Sequence, residues 1–282
     1  METVIKELEA KRGSAVFGSV IYILFCVGAL ALLFLRRMGP GLVLLGVGCL
    51  YYFLLVRRDI KKFTGLFLRE NLRAGLGKHL TGVAYQGYAG IPREELFAAK
   101  LLPMTEDSSC LSFHRVTGEG KGVRLELSDV TFQLWQPEEK ARARFISGCW
   151  VAARLDHGTG CRVRLVGRGL FPERIGEEYY SGLGLGAVTW GSRRVDEAFC
   201  SFGEGGLSES VLGRVMDLVE YTPGAVAVGV EDDRVWFYLG GRLLAGGEPG
   251  LKEAVTPEML AADPLPEMAY IMKVVTALRR ME

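Results

Sequence analysis

Two neighbouring runs without a charged residue constrain this chain more than any other feature of its sequence. Residues 14–35 read SAVFGSVIYILFCVGALALLFL, and residues 38–56 read MGPGLVLLGVGCLYYFLLV. As a helix the first run is about 33 Å long at 1.5 Å per residue, which is enough to cross a hydrocarbon core of about 30 Å. Two such runs are hard to bury in a soluble chain of 282 residues, and the first is too long for a signal peptide. We therefore expect a transmembrane helical hairpin.

The connection between the runs, FLRRMGPGL, predicts the tip of this hairpin. Pro40 and its flanking glycines break a helix, so we expect spans at about 14–35 and 40–56, the second of them short. Arg36 and Arg37 can reach lipid headgroups from the tip. Small residues permit close approach of helices in lipid, and the candidates are Ser14, Ala15, Gly18 and Ser19 on one helix and Gly46 and Gly48 on the other.

The distribution of basic residues around the runs predicts the orientation, because Lys and Arg accumulate on the cytoplasmic side of membrane proteins. The outer flanks carry nine of them and the tip carries two. The nine are Lys6, Lys11, Arg12, Arg57, Arg58, Lys61, Lys62, Arg69 and Arg73. We therefore expect an inner-membrane protein with two spans, an N-terminal segment and hairpin within residues 1–56, and both termini in the cytoplasm.

Residues 57–80, RRDIKKFTGLFLRENLRAGLGKHL, predict a basic juxtamembrane helix, since their leucines recur every four residues. Two interpretations stay open. The helix lies on an anionic inner leaflet, or it is a stalk that continues the second span and docks on the following domain. The leucines continue beyond the basic cluster, which favours the stalk. In either case the predicted membrane-surface contacts are Arg57, Arg58, Lys61 and Lys62.

Residues 81–282 predict a cytosolic α+β domain with an antiparallel sheet and flanking helices, because strand and helix patterns do not alternate regularly. In GVRLELSDVTFQLW the apolar residues change parity, which predicts a turn or bulge near Ser128–Asp129. Residues 143–155 and 161–167 predict a hairpin around a turn-rich loop. A second hairpin is expected around Asp232–Asp233.

Two helices are expected near the end of the chain. One is capped by Ser208 or Ser210 and ends at Pro223–Gly224, and the other starts near Pro266. Residues 171–186 read as a Gly- and Pro-bearing loop. Its densest polar-aromatic group is Glu177, Glu178, Tyr179 and Tyr180.

No side-chain pattern of known chemistry stands out. Three histidines, His79, His114 and His157, are far apart, and the six cysteines form no CxxC pair, so neither a zinc site nor a disulfide framework is predicted. The balance of 34 Lys+Arg against 33 Asp+Glu disfavours a nucleic-acid binder. We therefore expect no metal, no cofactor and no nucleic acid, and the catalytic residues, if there are any, are unknown.

Several segments resemble a known family. They are FISGCWVAARLDHGTGCRVRLVGRGLF, VDEAFCSF, SVLGRVMDLVE, and the stretch from GAVAVGV to VVTAL. Together they resemble the bacterial two-span membrane-protein family catalogued as domain of unknown function 3137. Asp196 and Phe199 match the family pattern, whereas Val195 stands where an aromatic residue is usual. The resemblance implies two close spans followed by a cytosolic α+β domain, and it implies no activity and no site residues.

The absence of a catalytic motif and the compact anchor favour a membrane-tethered interaction or ligand-sensing module over an enzyme. The expected partners are the lipid bilayer and a protein in the membrane or cytoplasm. The alternative is a membrane-bound enzyme with an unrecognised site that acts on lipid or envelope material. Such an enzyme would need a deep pocket with converging Asp, Glu, Tyr or His side chains.

Overall fold

The chain divides into two compact units. The computed structural model describes residues 2–105, 107–134, 144–246 and 249–281. Within them the helical unit takes residues 2–74 and 249–262, and the sheet unit takes the remainder. The sequence predicts one uninterrupted domain after residue 80, whereas residues 249–262 belong with the N-terminal helices.

The helical unit contains the two apolar helices that the sequence predicts. Helix α1 spans Glu2–Phe34 and α2 spans Met38–Tyr51. One π-helical turn at Tyr52–Val56 then leads without a break into α3, Arg57–Leu76. The first helix and the combined second one are long and apolar enough to cross a membrane. The second starts before Pro40 rather than after it, because proline is tolerated in the first turn of a helix, where its missing N–H has no helical partner.

Small residues bring α1 and α2 together. Those buried in the hairpin are Ala15, Gly18 and Ala29 of α1 and Gly41 and Gly48 of α2. A Cβ atom at Gly48 would lie 2.9 Å from the Cβ of Phe25, so only glycine permits this approach. The predicted contact at Gly46 is wrong, because that position faces open space.

Large apolar side chains cover the outside of the hairpin. Phe17, Leu24, Leu50 and Leu54 are among those that expose more than half of their surface. Soluble proteins rarely expose a continuous apolar surface of this kind, which is typical of helices whose neighbours are lipid tails.

Residues 249–262, which we call the strap, pack against α1 and α3. The strap contains α8, Pro257–Ala261. Its Val255 and Leu260 join a small buried cluster with Leu8, Phe63 and Phe67. The side chains of Phe63 and Phe67 on α3 are therefore buried against protein within the helical unit, and the choice between the surface helix and the stalk stays a prediction.

Polar side chains of α1 and α3 also hold the main chain of the strap. The carboxylate of Glu9 accepts a hydrogen bond from the N–H of Val255 at 2.5 Å. The buried amide of Asn71 donates to the carbonyls of Met259 and Ala262, each at 3.0 Å. Because these carbonyls lie at the end of α8, where helical donors run out, Asn71 closes the helix. Asn71 is the only asparagine in the chain.

The sheet unit is built on an antiparallel sheet, as predicted, and this sheet has eight strands in the order β1-β2-β3-β4-β8-β7-β5-β6. The strands are β1 Thr81–Gln86, β2 Cys110–Gly120, β3 Val123–Leu134, β4 Arg144–Arg154, β5 Arg162–Gly167, β6 Phe199–Glu204, β7 Val226–Glu231 and β8 Arg234–Gly240. The helices of this unit are α4 Arg93–Ala98, α5 Glu173–Gly182, α6 Arg193–Ala198, α7 Glu209–Tyr221 and α9 Met268–Leu278.

The hairpin predicted from residues 143–155 and 161–167 is wrong, although both strands form. Strand β4 pairs with β3 and β8, whereas β5 pairs with β6 and β7. The β7–β8 hairpin, which is confirmed, lies between them, and the N–H of Leu155 donates to the carbonyl of Asp233 at its tip, at 2.7 Å. A turn-rich loop can join two paired strands or two strands that lie further apart in the sheet. The insertion of β7 and β8 between them has no signature in the residues of the loop.

Strand β3 has no turn or bulge at Ser128–Asp129, and it pairs with β4 along its whole length. The bulge lies on the neighbouring strand β2, where His114 and Arg115 together face one residue of β3. The apolar residues of β3 change parity because the two ends of the strand bury opposite faces, with Leu127 on one and Val130 on the other.

Helices cover both faces of the sheet. On one face α4 and α5 contribute to a core around Trp150 and Tyr180. The other face is buried by α7 and α9, which stack Tyr221 on Tyr270 at a centroid distance of 4.5 Å. Both C-terminal helices were predicted, whereas residues 171–186 contain α5 and are not the predicted loop.

Candidate anion-binding cleft

A cleft of about 700 Å³ opens on the sheet unit between three pieces of chain. They are the start of α7 with the residues before it, the second half of α9, and the turn between β2 and β3. The volume lies within the range of small-molecule binding sites.

Four basic side chains line this cleft, and no carboxylate does so among the described residues. Lys121 comes from the β2–β3 turn, Arg214 from α7, and Lys273 and Arg280 from α9 and its end. The excess is local, because the whole chain has 34 basic and 33 acidic residues. Like charges that share a concave surface raise the local positive potential and attract anions.

The four basic side chains are exposed, and their other interactions leave them able to bind a ligand. Arg214 pairs with Asp217 at 3.2 Å, and the ammonium of Lys273 lies 4.3 Å from the ring centroid of Tyr270. Within the described part of the chain, Lys121 and Arg280 make no ion pair. Exposed ion pairs are weak, so an anion in the cleft would meet little competition.

The start of α7 adds hydrogen-bond donors to the wall. Ser208 is the N-cap, and its hydroxyl accepts from the N–H of Val211 at 3.4 Å. Ser210, the second residue of α7, also lines the cleft. The first amides of a helix have no helical carbonyl to bond, and the helix dipole is positive at this end. Leu207, Ala277 and Met281 supply an apolar part of the lining.

Arg279 holds the cleft together without lining it. Its guanidinium donates to the carbonyl of Lys121 at 2.6 Å and to both carboxylate oxygens of Asp156, at 3.1 and 2.5 Å. The end of α9 is thereby tied to the β2–β3 turn. Lys121 and Gly122 form this turn with φ values of +48° and +78°. The hydrogen bonds from Arg279 also lower the pKa of Asp156 to about 2.

A second cavity of about 170 Å³ lies between α5, α6 and strand β6. Glu173, Glu177, Asp196 and Cys200 line it. Glu173 pairs with Arg168, and Asp196 accepts from the N–H of Trp190 at 3.0 Å. No group of three or more His, Cys, Asp or Glu side chains among the described residues is arranged to hold a metal ion.

The polar-aromatic group singled out in the sequence does not form one site. Glu177 lines the small cavity, whereas Tyr180 is buried in the core and donates its hydroxyl to the carbonyl of Leu101 at 2.5 Å. Burial accordingly raises the pKa of Tyr180.

The predicted membrane-surface residues all lie in the first two turns of α3 and are exposed. They are Arg57, Arg58, Lys61 and Lys62. Arg57 also lies over the ring of Phe53, 5.9 Å from its centroid. None of the four lines the cleft, and their contact with lipid stays a prediction.

The cleft residues themselves were not predicted. Lys273 and Thr276 of α9 and Arg280 just beyond its end recur at helical spacing, so one wall could have been found from the sequence. The meeting of this wall with Lys121 and Arg214 depends on tertiary structure.

No protein-family model, curated protein or solved structure was found to match this chain. The assignment of a function therefore depends on the geometry described above.

Proposed function

We propose that this protein is a membrane-anchored module without catalytic activity, which binds an anionic ligand in the basic cleft of its sheet unit. The cleft is the observation that carries the proposal, because four cations converge there and no described carboxylate lines the wall. In this proposal the two apolar helices cross the inner membrane, and both termini lie in the cytoplasm. The excess of Lys and Arg on the outer flanks of the hairpin supports this orientation.

The resemblance to the family domain of unknown function 3137 agrees with this layout, and membership of that family is part of the proposal. Arg57, Arg58, Lys61 and Lys62 are proposed to contact the anionic headgroups of the inner leaflet. Each basic residue near such a surface contributes about 1 kcal/mol of attraction.

The chain also offers a covalent route from the cleft to the anchor. Helix α9 contributes Lys273 to the cleft, and Arg280 lies just beyond its end. The helix follows the strap after residues 263–267. The strap is bound by α1 and α3 through Glu9 and Asn71. A ligand that restrains α9 would therefore act on the helix that follows the held strap along the chain, which suits a sensing module.

The enzyme alternative has less support. It requires a deep pocket with free acid or base groups, whereas the carboxylate-lined cavity of about 170 Å³ is smaller than typical substrate sites. Two of its carboxylates, Glu173 and Asp196, are already engaged in an ion pair and a main-chain hydrogen bond.

Calorimetric titration of the full chain in phosphatidylcholine nanodiscs tests the binding proposal. The titrants are sulfate, citrate and inorganic pyrophosphate, and the double variant Lys273→Gln/Arg280→Gln is compared with Arg234→Gln. Arg234 is an exposed arginine of β8 that does not line the cleft. We expect at least one anion to bind the parent and the Arg234 variant equally, and the double variant at least tenfold more weakly. Absence of binding by these anions and by organic phosphates alike, or equal binding by the double variant, would overturn the proposal.

The membrane placement has its own test. Ultracentrifugation of a lysate without detergent should leave the intact chain in the membrane pellet, and a cytoplasm-dependent reporter fused after residue 282 should be active. A chain that stays in the supernatant, or an inactive reporter with a positive periplasmic one, would contradict the placement.

A further inference from the structure

We infer that the ligand of the basic cleft is a phosphorylated organic molecule rather than a carboxylate or a bare inorganic ion. This inference rests on the proposed function and names the class of ligand. Three properties of the cleft wall support it, namely the number and kind of its cations, its hydroxyl groups and its apolar part.

The cations indicate a ligand with several negative charges. Lys121, Arg214, Lys273 and Arg280 approach the cleft from three different elements. A singly charged anion would leave most of these cations uncompensated, whereas a phosphate ester with two or more ionised oxygens can contact donors on several sides. Arginine binds phosphate through two parallel hydrogen bonds, and lysine binds it as a point charge.

The hydroxyl groups favour the tetrahedral phosphate over a planar carboxylate. Ser208 and Ser210 stand at the start of α7, a helix of 13 residues, on the wall that also carries Arg214. A phosphate group has enough acceptor oxygens to bond a serine hydroxyl, a first-turn amide and a guanidinium at once. Ser208 already accepts from the N–H of Val211, which leaves its hydroxyl proton free to be donated.

The apolar part of the wall and the size of the cleft indicate that the ligand carries an organic body. Leu207 is buried and Met281 is half-buried, and both line the same cleft as the cations. A volume of about 700 Å³ far exceeds the need of a free phosphate ion. Ligand sites are mostly apolar with a few placed polar groups, so an apolar or planar body against Leu207 and Met281 would add contact area. This chemistry occurs in soluble nucleotides and in phospholipid headgroups.

Titration of four probes tests the inference on the full chain in phosphatidylcholine nanodiscs. The probes are adenosine triphosphate, a water-soluble short-chain phosphatidic acid, inorganic pyrophosphate and citrate. We expect one of the two organic phosphates to bind at least tenfold more tightly than pyrophosphate and citrate. The tighter of the two identifies the source as a soluble nucleotide or a lipid. The Lys273→Gln/Arg280→Gln variant should lose this binding, and Arg234→Gln should keep it.

The outcomes separate this inference from the proposed function. If citrate binds as tightly as the phosphates and depends on Lys273 and Arg280, the cleft is an anion site and the inferred ligand class is wrong. If pyrophosphate binds as tightly as the organic phosphates, the inference that the ligand carries an organic body is wrong. If none of the four probes binds, both the inference and the proposed function fail.

A second pair of variants separates the organic body from the charge. Leu207→Ser removes an apolar contact without changing the charge of the cleft, and Leu243→Ser is its control because Leu243 is an exposed leucine elsewhere in the sheet unit. We expect Leu207→Ser to weaken the binding of the organic phosphate several-fold and to leave the affinity for pyrophosphate unchanged. Equal weakening of both, with an unchanged melting temperature, would contradict an organic body at this position.

Discussion

The guanidinium of Arg279 donates a hydrogen bond to the main-chain carbonyl of Lys121 at 2.6 Å, across 158 positions of sequence. The same guanidinium pairs with Asp156. One side chain therefore joins the end of α9, the β2–β3 turn and the connection between β4 and β5. Two of the cleft cations, Lys121 and Arg280, stand beside this junction.

Replacement of this side chain should weaken ligand binding without removal of a lining residue. A glutamine at position 279 cannot donate to the carbonyl of Lys121 and the carboxylate of Asp156 at the same time. The β2–β3 turn and the end of α9 are therefore free to separate. We expect pyrophosphate, or whichever anion binds the parent best, to bind about tenfold more weakly. Arg154→Gln breaks a comparable exposed ion pair, with Asp233, and should leave affinity unchanged. An Arg279→Gln protein with parental affinity would exclude a positioning role.

The strap should become more dynamic when the buried amide of Asn71, which binds its main chain, is removed. Asn71→Ala leaves the carbonyls of Met259 and Ala262 without their donor, and an unsatisfied buried polar group costs about 1–3 kcal/mol. Hydrogen exchange should show faster exchange of strap amides in residues 249–262. Lys252→Ala, an exposed change in the same segment, is the control. Unchanged protection in Asn71→Ala would contradict this role of Asn71.

The hairpin offers a matched pair of glycines. A side chain at Gly48 would collide with Phe25, whereas one at Gly46 would meet open space. Because overpacking costs about 1–3 kcal/mol, Gly48→Leu should lower the melting temperature in nanodiscs by several degrees. Gly46→Leu should leave it within error. Equal effects of the two changes would show that the packing of α1 on α2 is different from the one described.

Asp129 should make the stability of the sheet unit depend on pH. The carboxylate is buried and accepts from the N–H groups of Leu244 and Ala245, at 2.6 and 3.2 Å. Burial outweighs these bonds and raises the pKa of Asp129 from 3.8 to about 6. The folded state thus binds the proton more tightly than the unfolded state does, so the free energy of unfolding falls as pH rises from about 4 to about 6.

This contribution is at most about 3 kcal/mol, at 1.36 kcal/mol for each pKa unit. Denaturant titrations between pH 4 and 7 should give a shallower pH dependence for Asp129→Asn than for the parent. Asp232→Asn, in the exposed tip of the β7–β8 hairpin, should retain the parental dependence. Parallel curves for the parent and Asp129→Asn would contradict the raised pKa.

Local sequence patterns predicted those helices and hairpins that depend on interactions between neighbouring residues. The apolar runs around Pro40, the α7 cap at Ser208 and the β7–β8 hairpin at Asp232–Asp233 follow from neighbours in sequence. The pairing of β4 and β5 failed because a hairpin from residues 226–240 enters between them. The assignment of the strap to the sheet domain was wrong for the same reason, since its partners Glu9 and Asn71 lie more than 180 positions away in sequence.

The sequence by itself determined that two helices with long uncharged runs precede an α+β unit with an antiparallel sheet, because charge, periodicity and turn residues act over a few neighbours. Only the tertiary structure decided which cations share a cleft and which segment the N-terminal helices hold. Lys121, Arg214 and Arg280 come from three separate elements, and they meet because buried apolar faces fix the places of α7 and α9 on the sheet. Exposed charged residues contribute little to that packing, so their positions in the sequence do not reveal which of them the packing places together.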